Sequence, residues 1–201
     1  SAQAGAKRTY LIEEPVAAAI GAGIDISMPN GNMVVDIGGG TTDIAVIALN
    51  GVVVSRSIKV AGDKFNDAIR RYVQDRRGIH IGERTAEDIK IRIGNIWNWK
   101  SEPKYMSVKG SSVKDGLPKQ ITLSSEEMLE ALSGPVRSVV EAICSVIERT
   151  PPELVSDIVN NGIVMTGGGS LLGGLDMMVA RVTGIKTMVA KNPRSCVVLG
   201  T

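Results

Sequence analysis

The stretch Met33-Val34-Val35-Asp36-Ile37-Gly38-Gly39-Gly40-Thr41-Thr42-Asp43-Ile44-Ala45-Val46-Ile47 restricts the possible folds more than any other part of the chain. Two runs rich in Val and Ile flank a carboxylate, three glycines and two threonines, and both runs read as strands. The link between them is too short for anything but a tight reversal, so they are expected to pair antiparallel. A plain hairpin needs one or two glycines for positive φ. Three in a row leave a backbone without side chains, whose N–H groups can turn toward one anion. Thr41 and Thr42 add hydroxyl donors. Asp36, at the end of the first strand, can face a metal ion or its waters. The pattern suits a clamp for the phosphates of a nucleotide; a glycine-rich hairpin with no ligand is the alternative.

A second triple glycine weighs against that alternative. Ile163-Val164-Met165-Thr166 reads as a strand, followed at once by Gly167-Gly168-Gly169-Ser170 and the helix-like Leu171-Leu172. Strand, glycine loop and helix start together present backbone N–H groups and a helix dipole to a ligand.

Around these two loops the chain reads as alternating strands and helices. Residues 8–12 suggest a short strand. Glu13-Glu14-Pro15 then opens a helix over Val16-Ala17-Ala18-Ala19-Ile20, with Pro15 at its first position and the acidic pair at its positive end. Asn50-Gly51 is a hairpin turn signal that returns the chain through Val52-Val53-Val54 and on to Ile58-Lys59-Val60, completing a three-stranded meander. From Ala61-Gly62-Asp63 the period becomes helical, with Phe65, Ile69, Tyr72 and Val73 on one face and Gly78 as the stop. Thr85 reads as the cap of the next helix, with Asp88 reaching back. On that helix Ile89, Ile93 and Ile96 share one face; Glu87, Lys90 and Gly94 share the other. Spacing alone favours a solvated surface with an i,i+3 ion pair for that second face.

Residues 98–123 are polar with weak alternation and suggest a small β element at the edge of a second domain. Ser124 to Glu127 is a capping box opening a helix to Leu132. Gly134-Pro135 is expected to break it and start another helix, with a core face of Val136, Val139, Val140, Ile143 and Ile147. Thr150-Pro151-Pro152 stops that one. A short helix to Asn161-Gly162, a helix over Asp176–Thr183 capped by Gly184, and a strand over Lys186–Val189 complete the pattern.

Size and charge exclude several functions. The 201 residues are 43% hydrophobic and carry 23 basic against 21 acidic groups, enough for one substantial core or two small ones and too balanced to suggest a nucleic-acid partner. The pairs Arg70-Arg71 and Arg76-Arg77 suit a solvated helix face. Cys144 and Cys196 lack metal-ligand spacing and read as buried thiols of a reducing compartment. His80 has no partner motif. No apolar run reaches the length of a membrane span. The start, without an initiator Met, and the apolar end both suggest a piece of a longer protein.

These residues resemble the MreB/Mbl family of bacterial actins, rod shape-determining ATPases of the actin and sugar-kinase fold. The carriers are Leu11-Ile12-Glu13-Glu14-Pro15 with Ala17-Ala18-Ala19-Ile20-Gly21, Asn32 to Val46 and Gly82 to Lys90. Thr150-Pro151-Pro152-Glu153-Leu154-Val155-Ser156-Asp157-Ile158 and Thr166-Gly167-Gly168-Gly169-Ser170-Leu171-Leu172 complete the set. They run through essentially the whole chain.

The resemblance implies an α/β, actin-like ATPase lobe of ribonuclease H-like fold with a small α+β insertion. This chain would be the second of two lobes that hold ATP between them, with residues 1–61 and 134–201 as subdomain IIA and 62–133 as the inserted subdomain IIB. Gly38, Gly39, Gly40 and Thr41 match the second phosphate loop. Asp36 matches the carboxylate that orders Mg²⁺ through water. Glu14 matches the acid that positions the attacking water, helped by Thr41. Glu87, Asp88, Ile89 and Lys90 match the turn lining the ribose and adenine, which overrides the solvated-surface reading. Gly62 and Asp63 match the hinge turn, and Gly167, Gly168, Gly169 and Ser170 match the adenosine-side loop. Asp43 stands where most members carry Glu.

The family's first phosphate loop, with its Asp-Leu-Gly-Thr pattern, is not in this sequence, nor is its membrane-binding segment. The expectation is therefore weak ATP binding and no detectable hydrolysis by this chain alone. For the full-length protein the resemblance implies head-to-tail filaments in the cytoplasm, held at the membrane, that guide cell-wall synthesis. A heat-shock-type chaperone lobe shares the same glycine loops and is the alternative; a sugar kinase is a third class.

Overall fold

The computed structural model describes residues 5, 8, 10–97 and 102–201. The expected opening stretch before Arg8 apart from Gly5, Thr9 of the expected first strand, and the head of the polar segment at 98–101 lie outside these.

Eight strands and seven helices are defined among the described residues. A five-stranded sheet is built on β1 (Asn32–Ile37), which pairs antiparallel with β2 (Thr42–Ala48) and parallel with β7 (Ile163–Thr166). The third strand, β3 (Gly51–Ile58), flanks β2, and β8 (Thr187–Val189) flanks β7, giving the order β3-β2-β1-β7-β8. β1 is apolar on both faces because both are covered. Met33, Val35 and Ile37 enter the larger core, under α4 (Ser125–Arg149), α5 (Pro152–Asn161) and α6 (Leu175–Thr183). Val34 meets Ala18 and Ala19 of α1 (Glu14–Gly21) on the opposite face. The short α7 (Cys196–Leu199) lies against α1 so closely that β-carbons at Gly21 and Gly200 would run into backbone.

Between β3 and α4 the chain forms α2 (Gly62–Arg77), the two-residue β4 (Ile79–His80), α3 (Glu83–Ile93), β5 (Tyr105–Ser112) and β6 (Pro118–Ser124). The last two strands and β4 make a second, antiparallel sheet. Phe65, Ile69, Ile89, Leu123 and Met128 continue the larger core into this part.

Several expectations are corrected. Arg8, Tyr10, Leu11 and Ile12 form no strand; Leu11 is 99% exposed, and a β-favouring run without a sheet edge beside it has nothing to pair with. The meander turn falls one residue earlier than Asn50-Gly51: Leu49 and Asn50 take φ of 50° and 62°, and Gly51 already pairs with Ala48. Helix α3 starts at Glu83 after Gly82, so Thr85 lies inside it and caps nothing.

The largest correction concerns α4, which runs unbroken for 25 residues through Gly134 and Pro135. Pro135 removes one helical donor, a cost of about 3 kcal/mol in an interior position. Against it stands one continuous apolar face, Met128, Leu132, Val136, Val139, Ile143 and Val146, all buried. Each such side chain contributes about 1.5–3 kcal/mol on burial, so tertiary packing prevails. The expected domain boundary at 133/134 thus falls inside a helix. The capping box does form: Glu127 N–H donates to Ser124 Oγ (3.3 Å), and Ser124 N–H donates to Glu127 Oε2 (2.9 Å). Both cysteines are free, Cys196 buried and Cys144 only half-buried.

Candidate functional site

Asp36 and Thr166 are register partners on adjacent parallel strands, and each strand then runs directly into a glycine loop. Ligands of open α/β sheets bind beyond the carboxyl ends of such strands, where neighbouring connections diverge. The two loops open here into one cleft of 570 Å³, lined by Glu14, Asp36, Gly38, Gly39, Gly62, Asp63, Glu87, Lys90 and Gly167 to Gly169, with Arg194 among further residues. That volume is in the range of small-molecule sites.

Backbone bonds hold the first loop by its carbonyls. Gly38 N–H donates to Thr41 O (2.9 Å) and closes the turn. The first residues of α2 donate to the loop: Gly62 N–H to Gly38 O (3.1 Å) and Asp63 N–H to Gly39 O (2.8 Å). The N–H groups of Gly39 and Gly40 find no acceptor among the described residues. Gly62 lacks a side chain where one would crowd Gly38 O at 3.2 Å and Lys90 Nζ at 3.5 Å. Lys90 in turn donates to Gly62 O (3.2 Å), which ties α3 to the same corner.

The second loop is anchored from both sides. Gly167 N–H donates to Pro193 O (2.9 Å), and Ser170 Oγ donates to Gly167 O (2.7 Å). Gly167 has φ 79° and ψ 163°, a conformation essentially reserved for glycine. Residues 168–171 form a 3-10 turn whose first N–H groups are unpaired by construction.

Charge in the cleft is mixed and weighted to acid: Glu14, Asp36, Asp63 and Glu87 against Lys90 and Arg194. Burial pushes the Asp36 carboxyl upward, the Thr166 hydroxyl bonded to it (2.6 Å) pulls it back, and Asp43 pushes it up again. Glu14 is raised by partial burial, then by Asp36 and Asp43. Burial lowers Lys90, against the pull of Glu87 and Asp63. Carboxylates that repel one another attract a cation.

Not every residue singled out in the sequence reaches the cleft. Gly40 and Thr41 are exposed at the loop and do not line it. Asp88 is half-buried outside the lining, and Ile89 faces the core with no exposure. Ser170 is buried and spends its hydroxyl on the loop. Gly94 is approached, but by the chain itself: a β-carbon there would lie 3.0 Å from Leu172, and Asn95 bridges to Gly173. Sequence reading missed Ile91, Leu171, Leu172, Pro193, Arg194 and Val197. Pro193 and Arg194 belong to a turn after β8 that carries no motif; only the apolar Leu171-Leu172 pair offered a signal.

Comparison with known proteins identifies the lineage. A family model described as MreB/Mbl protein matches residues 1–201. The chain belongs to the MreB/Mbl family. It is 50% identical over 199 residues to the cell shape-determining protein Mbl of Bacillus subtilis (strain 168), covering 99% of this chain and 60% of that protein. It is also 50% identical over 197 residues to the cell shape-determining protein MreB of Escherichia coli (strain K12), covering 98% and 56%. The crystal structure of MreB5 of Spiroplasma citri bound to AMPPNP superposes with a TM-score of 0.95 at 40% identity, over 99% of this chain and 60% of that one. MreB5 has also been solved bound to ADP. The MamK double helical filament, at 22% identity and a TM-score of 0.79 over 99% and 60%, shares the actin-like fold. The MreB/Mbl chain therefore spans about 60% of the length of these relatives. Family membership, which fold alone cannot establish, sets aside the chaperone and sugar-kinase alternatives.

Proposed function

We propose that this chain is the nucleotide-gripping second lobe of an actin-like, cell shape-determining cytoskeletal ATPase. One observation carries the reading: two glycine loops, 130 residues apart in sequence, open into a single cleft with a buried carboxylate at their root. The nucleotide-bound MreB5 structures, at 40% identity, support it.

The loop amides of Gly39, in the cleft lining, and of Gly40, at its exposed rim, bind phosphate, with Thr41 beside them. Glu87, Lys90 and the 167–170 loop hold the nucleoside end. Gly62 and Asp63 brace the phosphate loop from α2. The residues fit a hydrated Mg²⁺: the lining is acidic, so a polyphosphate needs a counter-ion, and the described residues form no cluster of three side chains able to hold a metal directly. Mg²⁺ keeps most of its waters and is bound largely through phosphate oxygens. It would neutralise the phosphates, while Asp36 accepts hydrogen bonds from its water shell. Glu14, at the start of α1, orients the attacking water.

The residues divide functionally into subdomain IIA, 1–61 and 134–201, and subdomain IIB, 62–133, joined by the continuous α4. In the full-length protein, nucleotide turnover controls head-to-tail filaments in the cytoplasm that associate with the membrane and guide cell-wall synthesis. The sequence lacks the family's other phosphate loop, so half the phosphate contacts are missing. Catalysis of this kind is mostly positioning and charge stabilisation, and this chain alone hydrolyses no ATP. Titration with a fluorescent ATP analogue, paired with phosphate release, tests the reading. Weak Mg²⁺-dependent binding without turnover is expected; no binding by either this chain or the full-length protein overturns it.

A further inference from the structure

Thr166 has no role in the nucleotide site described above, yet among the described residues it makes the one side-chain hydrogen bond that joins the roots of the two loops. It ends β7 and is fully buried; Asp36, one residue before the end of β1, is 4% exposed. Their Cα atoms are register partners in a parallel pair. Side chains at such positions stand on the same face of the sheet, and Thr166 Oγ1 donates to Asp36 Oδ1 at 2.6 Å. No donor among the described residues reaches Oδ2 of Asp36, while Asp36 lines the cleft. Thr and Val are alike in shape and strand preference. Thr166→Val therefore removes the hydroxyl with little change of volume.

We infer that Thr166 is a positioning residue: its hydroxyl holds one oxygen of Asp36 so that the other faces the cleft. The inference rests on the proposed nucleotide site and deepens it. Groups that orient a metal-associated carboxylate without touching the metal typically change affinity by about 10–100-fold when removed. The bond is short, charge-assisted and buried, which places it among the stronger ones.

The test uses the full-length protein and a fluorescent ATP analogue, titrated once with Mg²⁺ and once with excess EDTA. The readout is the ratio of the two affinities. Thr166→Val is expected to reduce the Mg²⁺-dependent tightening by roughly tenfold or more while leaving affinity in EDTA near that of the parent. Thr166→Ser, which keeps the hydroxyl, is expected to restore it. In an Asp36→Asn background, Thr166→Val is expected to change the ratio no further. If Thr166→Val does not fold by circular dichroism, Thr166→Cys replaces it, with a similar size and a far weaker donor, and the same loss is expected. An unchanged ratio, an equal loss with and without Mg²⁺, or a folded Thr166→Ser no better than Val each overturns the assignment. If the parent binds the analogue in neither condition, the functional reading falls and takes this inference with it.

Discussion

Replacing Gly167 by Ala tests whether the second loop is built as tightly as the structure shows. A β-carbon at this position would lie 2.5 Å from the Ile37 carbonyl carbon and 2.8 Å from the Ile37 nitrogen. Contacts under 3.0 Å to backbone are essentially never seen, so β1 and the loop must part by several tenths of an ångström. The backbone torsions, φ 79° and ψ 163°, cost a non-glycine residue about 1–3 kcal/mol by themselves. Parting the strands also threatens the Gly167–Pro193 and Thr166–Asp36 bonds, at about 1 kcal/mol each. The total is about 3–5 kcal/mol, a large share of the stability of a typical domain. In urea, with a slope of about 2–3 kcal/mol per molar, the midpoint should fall by about 1–2.5 M. Gly40→Ala is the control: nothing lies within 4 Å of its added carbon, so stability should shift by less than about 1 kcal/mol while nucleotide affinity falls. A Gly167→Ala midpoint equal to that of Gly40→Ala would refute the close approach of β1 and the loop.

Further predictions follow from the same geometry. Leu49 holds φ 50° while 66% exposed; Leu49→Asn should stabilise the chain by about 1 kcal/mol, measured by thermal melting. Glu127 caps α4 and also accepts Arg77 Nε at 2.8 Å; Glu127→Ala should cost about 1–2 kcal/mol, read by urea titration, with Glu127→Gln intermediate. Because burial raises Asp36, the native state holds that proton more tightly than the unfolded chain does. The penalty for its charge is absent below the unfolded carboxylate value and grows as pH rises through the native one. Asp36→Asn should therefore be more stable than the parent at pH 7, with the gain vanishing as pH is lowered through the carboxylate range. A constant gain across that range would contradict the assignment of burial as the cause.

What could be read in the chain, and what could not, divides along local against tertiary determinants. The β1–β2 hairpin, the Ser124–Glu127 box and the left-handed Gly78 and Gly184 caps announce themselves because a few adjacent residues decide them. Pro135 misled because local chemistry said break, while a core face running through Leu132, Val136 and Val139 outweighed it. Residues 8–12 misled for the opposite reason: their propensity was β, but no edge stood beside them. Within the site, both glycine loops and Asp36 were legible as motifs. Arg194 and the Thr166–Asp36 bond were not, since parallel register between strands 130 residues apart leaves no mark in sequence.

In the proposed site, residues 38–40 and 167–169 grip one nucleotide. Amide chemical shifts of these six glycines, followed by NMR as Mg²⁺ and ATP are titrated into the isotope-labelled chain, test it most directly. Both triplets are expected to move together and saturate with one dissociation constant. Movement of one triplet alone, or two unrelated constants, would contradict it.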